Sequence, residues 1–178
     1  MANRAVIKEL AQYLSVPVEE VILTLSIRER LLNAELTIKS MLDYGCGIGS
    51  AGLNLAPALS PDVVIDFMEP NQYARKFLTW RIPRLLKQTH VRVQSYIRPY
   101  FPYDLIIAWG VFEHIPDGHA CILFHKLLGC LSPGGKLFLK NFYTQTDKYL
   151  QHFPLGPEMQ KNYEQYKERI IYARHSDQ

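Results

Sequence analysis

Residues 41–52 read MLDYGCGIGSAG: two apolar residues, an acid at Asp43, then Gly45, Gly47 and Gly49 in alternation. A strand that breaks into glycines and reopens as a helix leaves backbone N–H groups uncovered. It also lets a nucleoside-containing ligand approach the main chain without meeting a Cβ. The dinucleotide fingerprint G-x-G-x-x-G/A, started at Gly45, requires Gly or Ala at position 50, where Ser50 stands. No Walker lysine accompanies the glycines, so a nucleoside triphosphatase loop is not indicated either. A second acid falls at the distance where nucleotide-binding α/β domains place a carboxylate on ribose hydroxyls: Glu69, 24 residues beyond Gly45. Ribose offers two neighbouring O–H donors, and a carboxylate accepts both. Asp66 competes for this role but falls inside the apolar run Val63–Met68, and Glu69 followed by Pro70 would also suit the start of a helix.

These residues need a scaffold, and the hydrophobic pattern supplies one. Short apolar runs near Ser40–Tyr44, Val63–Met68, Val91–Ser95, Asp104–Trp109 and Lys136–Phe142 predict strands. Helical spacing predicts helices near Ser50–Leu59, Asn71–Leu86 and Gly118–Leu131, with Pro83 kinking or ending the second. Ser132-Pro133-Gly134-Gly135 reads as a turn before the last of these strands. Ahead of them, Ala5–Ser15 and Pro17–Leu32 read as two helices. Such alternation predicts a doubly wound, mostly parallel α/β sheet with helices on both faces and ligands at the carboxyl ends of its strands. After Phe142, Glu158–Lys167 reads as an amphipathic helix and Arg169–Ala173 as a single closing strand, six strands in all. The expected organisation is one domain over 1–178. Its parts are N-terminal helices (1–35), a binding core (36–142) and a short C-terminal end (143–178). A lid over the site would come from the N-terminal helices or from Phe142–Pro157.

The glycine loop with Asp43, the acid Glu69, and the run "YDLI…FEHIPD…LLGCLSPGGKLFL" occur in that order. Together they resemble the class I S-adenosylmethionine-dependent methyltransferases, a superfamily with a Rossmann-like fold, over about Lys39–Phe142. The resemblance implies S-adenosyl-L-methionine as cofactor, held by Asp43, Gly45, Cys46, Gly47, Gly49, Glu69 and Pro70. Cys46 stands where the family tolerates a small residue. The loop after the third strand often offers an Asp to the adenine amino group; here Ser95 or Gln94 would take that bond, with Tyr96 stacking on the ring. Trp109 would wall the methionine end of the cofactor or fill core beneath it, and Phe112 follows in the same loop. The family places that loop beside the transferred methyl, which makes His114 the candidate general base. The alternative is a histidine that hydrogen-bonds neighbouring backbone, with Glu113 orienting the loop. Some relatives bind magnesium through an acid three residues before their Glu-His pair, and Gly110 stands there, so no metal is expected.

Composition sets limits. With 178 residues, 48% of them hydrophobic, the chain has ample core for one domain. No apolar run spans a bilayer and no signal-peptide pattern opens the chain, so a cytoplasmic protein without a membrane partner is expected. Three cysteines, Cys46, Cys121 and Cys130, form no C-x-x-C pair, which argues against disulfides or zinc. The run after the fourth strand lacks the N/D-P-P-Y/F pattern of amino-directed nucleobase methyltransferases. A small-molecule acceptor, methylated on O, N or C, is therefore the leading expectation. RNA or an acidic protein is the alternative, because Pro70–Tyr103 contains seven cations, from Arg75 to Arg98, and no Asp or Glu. The tail Gly156-Pro157-Glu158-Met159 with Asn162-Tyr163 is also similar to ribosomal-RNA methyltransferases of aminoglycoside producers, though their glycine-loop variant is absent. A non-catalytic cofactor-binding subunit is the third reading.

Overall fold

A computed structural model describes residues 37–87, 90–140, 153 and 156–173. The two helices predicted for the N-terminal residues, and most of the Phe142–Pro157 segment, fall outside the described residues. Six strands build one sheet: β1 (Ser40–Tyr44), β2 (Val64–Met68), β3 (Val91–Gln94), β4 (Tyr103–Trp109), β5 (Leu131–Lys140) and β6 (Ile170–Ala173). Their spatial order is β3-β2-β1-β4-β5-β6, and every neighbouring pair is parallel. The expected "mostly parallel" sheet is thus wholly parallel among the described residues. The closing strand follows a helical crossover rather than a hairpin, so it enters in the same direction as β5.

Helices α1 (Ser50–Leu55) and α2 (Gln72–Leu85) lie on one face, where Leu53, Leu55 and Leu78 pack on Met41, Ile65, Phe67, Leu105 and Ile107. Helices α3 (Asp117–Gly129) and α4 (Pro157–Tyr166) cover the other, where Phe124, Leu127 and Met159 pack on Leu42, Ile106 and Leu139. The predicted helix over Ser50–Leu59 divides at Pro57: α1 stops at Leu55 and a 3-10 turn takes Ala56–Ala58. Pro83 is accommodated inside α2, which ends two residues later.

One expectation fails. Ser132–Gly135 is not a turn ahead of the fifth strand but a bulge within β5. The register jumps from Tyr103↔Leu131 to Leu105↔Lys136, so five residues of β5 pass two of β4. Close approach explains the glycine, since a Cβ on Gly135 would stand 2.7 Å from the Tyr103 carbonyl oxygen. Beneath it, Asp104 clamps three segments, accepting from the Lys39 N–H (2.8 Å), the Ser40 N–H (3.1 Å) and the Ser132 hydroxyl (2.6 Å). Burial pushes the Asp104 carboxyl up, but these bonds together hold it below the ordinary value.

No helix joins β3 to β4. The connection Ser95–Pro102 crosses the α3/α4 face as an irregular strap, with Ile97 and Phe101 packed on that core. Arg98 fastens it. The guanidinium lies 3.1 Å from the fully buried Asp66 of β2 and 3.3 Å above the Phe101 ring. The Tyr103 hydroxyl donates to the same carboxylate at 2.6 Å. Asp66 is thereby paired inside the sheet and points away from the loop at the strand ends.

Candidate cofactor site

The glycine loop forms where β1 runs out. Gly45, Gly47 and Gly49 have φ of 63°, 55° and 82°, a left-handed backbone that residues with a side chain adopt only under strain. Their surroundings differ. A Cβ on Gly45 would meet Val111 Cγ2 at 2.8 Å, whereas among the described residues no atom lies within 4 Å of a Cβ on Gly47. Among the described residues, Gly47 therefore presents bare backbone with space above it. Glu69 sits just past β2, 8% exposed, with its two carboxylate oxygens on different N–H groups: Gly47 (2.8 Å) and Asn71 (2.8 Å). Two more bonds fix the carboxylate's backbone. The Glu69 N–H donates to the Gln94 carbonyl at 3.0 Å, and the Arg75 guanidinium donates to the Glu69 carbonyl at 2.6 Å.

Asp43 closes the loop from below. It is buried and accepts the Gly52 N–H at 2.8 Å, capping α1 from the preceding strand. Burial, against that bond and with help from the nearby Glu69 charge, pushes its carboxyl up to about 7. Cys46 is half-buried, and burial above all holds its thiol well above the ordinary value. It therefore stays protonated and packs as a small side chain.

The β4 loop abuts this one through Val111 on Gly45. A 3-10 turn over Phe112–His114 follows, its His114 N–H bonded to the Val111 carbonyl at 3.1 Å. His114 is exposed, while Phe112 turns into the α3 core, edge-on to Phe124 at 6.4 Å. Trp109 is partly buried and stacks parallel to Phe138 at 6.0 Å on the α1/α2 face. The Phe153 N–H donates to the Glu113 carbonyl at 2.7 Å, which brings Phe153 against this loop. Ser95 and Tyr96 lie exposed just beyond β3, and Pro70 is exposed beside Glu69.

Asp43, Gly45, Cys46, Gly47, Gly49 and Glu69 are thus assembled around one loop. Val111, Asn71 and Arg75 join them; the sequence pointed to none of the three for this site, and to Arg75 only as part of the basic stripe. The Asn71 signal was legible: an N-cap residue after Pro70, its side chain accepting from Tyr73 and Ala74. Val111 carried none, because only the fold shows it filling the space above Gly45. Among the described residues, no three His, Cys, Asp or Glu side chains group as metal ligands do.

A doubly wound parallel sheet with a bare glycine turn and an acid after its second strand defines a nucleoside-binding Rossmann-like domain. The methyltransferase-domain family model matches residues 18–171, and the chain belongs to that family. Over 107 residues it is 28% identical to cyclopropane mycolic acid synthase 2 of Mycobacterium bovis, covering 60% of this chain. It spans only about a third of that relative's length (33%), as it does for the Mycobacterium tuberculosis counterpart. The magnesium protoporphyrin IX methyltransferase of Synechocystis PCC 6803, solved with bound S-adenosylmethionine, shares the fold at TM-score 0.61 and 17% identity. The match covers 78% of this chain and 64% of that one. The O-methyltransferase domain of StiE shares it at TM-score 0.56 and 23% identity, over 70% and 44% of the two chains.

Proposed function

We propose that this chain binds S-adenosyl-L-methionine at the Gly45–Gly49 loop and transfers its methyl group to an O, N or C nucleophile of a small-molecule acceptor. One observation carries the reading: the Glu69 carboxylate lies on the Gly47 N–H, beside backbone that has open space above it. A carboxylate there can exchange a backbone donor for ribose hydroxyls without moving far. The cofactor supplies an already activated methyl on a sulfonium, so the protein's work is alignment and, for a protonated acceptor, removal of a proton. His114, exposed on the loop after β4, is the base in this reading, and Ser95, Gln94 and Tyr96 frame the adenine side. A single domain over 1–178 accommodates every part of it. Relatives and neighbours named as an O-methyltransferase, a porphyrin methyltransferase and a cyclopropane synthase support a small-molecule acceptor over RNA.

Calorimetry tests the assignment directly. Wild type should bind S-adenosylmethionine, and Gly47→Val and Glu69→Ala should each weaken binding at least tenfold, by filling the ligand's space or removing the ribose acceptor. Unchanged affinity in both variants, with circular dichroism intact, would move the site elsewhere.

A further inference from the structure

Helix α2 turns its apolar residues the wrong way for a core helix. Leu78 is buried against the sheet, yet Tyr73, Phe77 and Trp80 are 72%, 45% and 54% exposed. They stand at i, i+4 and i+7, with Arg84 at i+11, which at 3.6 residues per turn is one stripe along the outer side. The Phe77 and Trp80 rings touch at 5.5 Å, and the Arg84 guanidinium lies 4.2 Å over Trp80. Lys76 and Arg81 flank the stripe, and Lys87 follows the helix. No Asp or Glu occurs from Pro70 to Tyr103. Arg81 also reaches the Ile48 carbonyl at 3.1 Å, which joins the patch to the 49%-exposed Ile48 in the glycine loop.

We propose that this aromatic and cationic face of α2 docks the protein on an anionic phospholipid surface, with the rings at the level of the headgroups and acyl boundary. Charge selects the occupant. A second copy presenting the same face would set cations against cations. Residues 1–36 hold five acids and four bases, too nearly balanced to complement the face. Nucleic acid would need several open rings for base stacking, but Trp80 already shares its surface with Phe77 and Arg84 and Ile48 has no π-face, which leaves Tyr73 as the one open ring of the stripe. Aromatic rings mixed with an aliphatic residue and rimmed by Lys and Arg are instead the make-up of a helix lying in an interface. Such a helix needs no span: among the described residues no helix is long and apolar enough to cross a membrane. Docking in this way would set the glycine loop, through Ile48, at the lipid surface.

Co-sedimentation of the full chain with vesicles tests this. Binding is expected to phosphatidylcholine vesicles containing phosphatidylglycerol and not to phosphatidylcholine alone. Phe77→Ser with Trp80→Ser should abolish it. Lys76→Glu and Lys87→Glu should each weaken it about fivefold or more, added salt likewise. Tryptophan emission should shift to the blue on binding in wild type but not in Trp80→Phe, which separates Trp80 from Trp109. Circular dichroism of all variants should match wild type, since these side chains are exposed. The proposal is overturned by any of four results. These are no binding to either vesicle, equal binding to both, and retention by polyuridylate in place of vesicles. The fourth is Trp80 shielded from acrylamide in the lipid-free chain, which would mean that the chain or a second copy covers the face.

Discussion

Asp66 and Glu69 are buried carboxylates three residues apart at the end of β2, and they belong to two differently built regions. Asp66 faces the strap side of the sheet, where the Arg98 guanidinium and the Tyr103 hydroxyl both meet one carboxylate oxygen, the other being buried without a hydrogen-bond partner among the described residues. Glu69 faces the glycine loop, where its bonds are to the backbone N–H groups of Gly47 and Asn71. The first carboxylate is met by side chains inside the sheet. The second is held by main chain beside open space, so a ligand can join it or take over one bond. The difference teaches where to look for binding in such a sheet: burial of an acid does not mark a site, but burial against exposed backbone does.

Substitution should pull the two regions apart. Arg98→Met leaves Asp66 buried with only the Tyr103 hydroxyl, and removing one partner of a buried pair costs about 3 kcal/mol of stability. Denaturant unfolding should show that loss, and Asp66→Asn in the same chain should recover part of it. Glu69→Gln should do the reverse, leaving the unfolding midpoint nearly in place while cofactor affinity drops. If Glu69→Gln binds normally and Arg98→Met does not, the assignment of the two acids is inverted.

The glycines sharpen the same contrast on a smaller scale. Gly45→Ala and Gly47→Ala share the cost of a left-handed backbone, about 1–2 kcal/mol each. Only Gly45→Ala adds a clash, with Val111 at 2.8 Å. Thermal melts should therefore rank Gly45→Ala below Gly47→Ala, while both lose cofactor. Equal melting temperatures would mean that Val111 moves aside freely. On the β4 loop, His114→Ala should lower turnover roughly a hundredfold with cofactor affinity little changed, if the imidazole is the base. Turnover and affinity slipping modestly together would mark it as a loop support instead.

Most of the sheet was legible because parallel strands read as short apolar runs, and β1, β2 and β4 begin and end within a residue of the pattern. The loop at Gly45–Gly49 was legible for a related reason: main-chain approach demands glycine, and glycine is visible in sequence. What escaped was set by contacts between distant segments. The bulge at Ser132–Gly135 looked like a turn, since Pro and Gly mark both and only pairing with β4 distinguishes them. The role of Arg98 was hidden in a run of seven cations, of which it alone forms an ion pair with a buried carboxylate among the described residues. The outward aromatics of α2 were not legible either, because period alone does not say which side of a helix meets the sheet.

The smallest effect concerns Asp43. Its carboxyl ionises at about 7 in the folded chain against 3.8 in the unfolded one, chiefly because burial disfavours the charge. A raised acid stabilises the fold only in its protonated form. Its contribution is complete below about pH 4 and is lost as pH climbs through 7. Asp43→Asn keeps an oxygen for the Gly52 N–H and removes the titration, so its stability relative to wild type should rise between mildly acidic and mildly alkaline buffer. A gap that stays flat, or closes, would mean that the ionised carboxylate is welcome in the apo fold. Ligand should reverse the trend. A bound sulfonium cation near the loop favours the ionised form, so S-adenosylmethionine should release protons near neutral pH and bind more tightly as pH rises. S-adenosylhomocysteine, whose sulfur is neutral, should show the weaker slope. Calorimetry in buffers of different ionisation enthalpy counts those protons. Identical counts for the two ligands would separate Asp43 from the charge of the methyl-bearing sulfur.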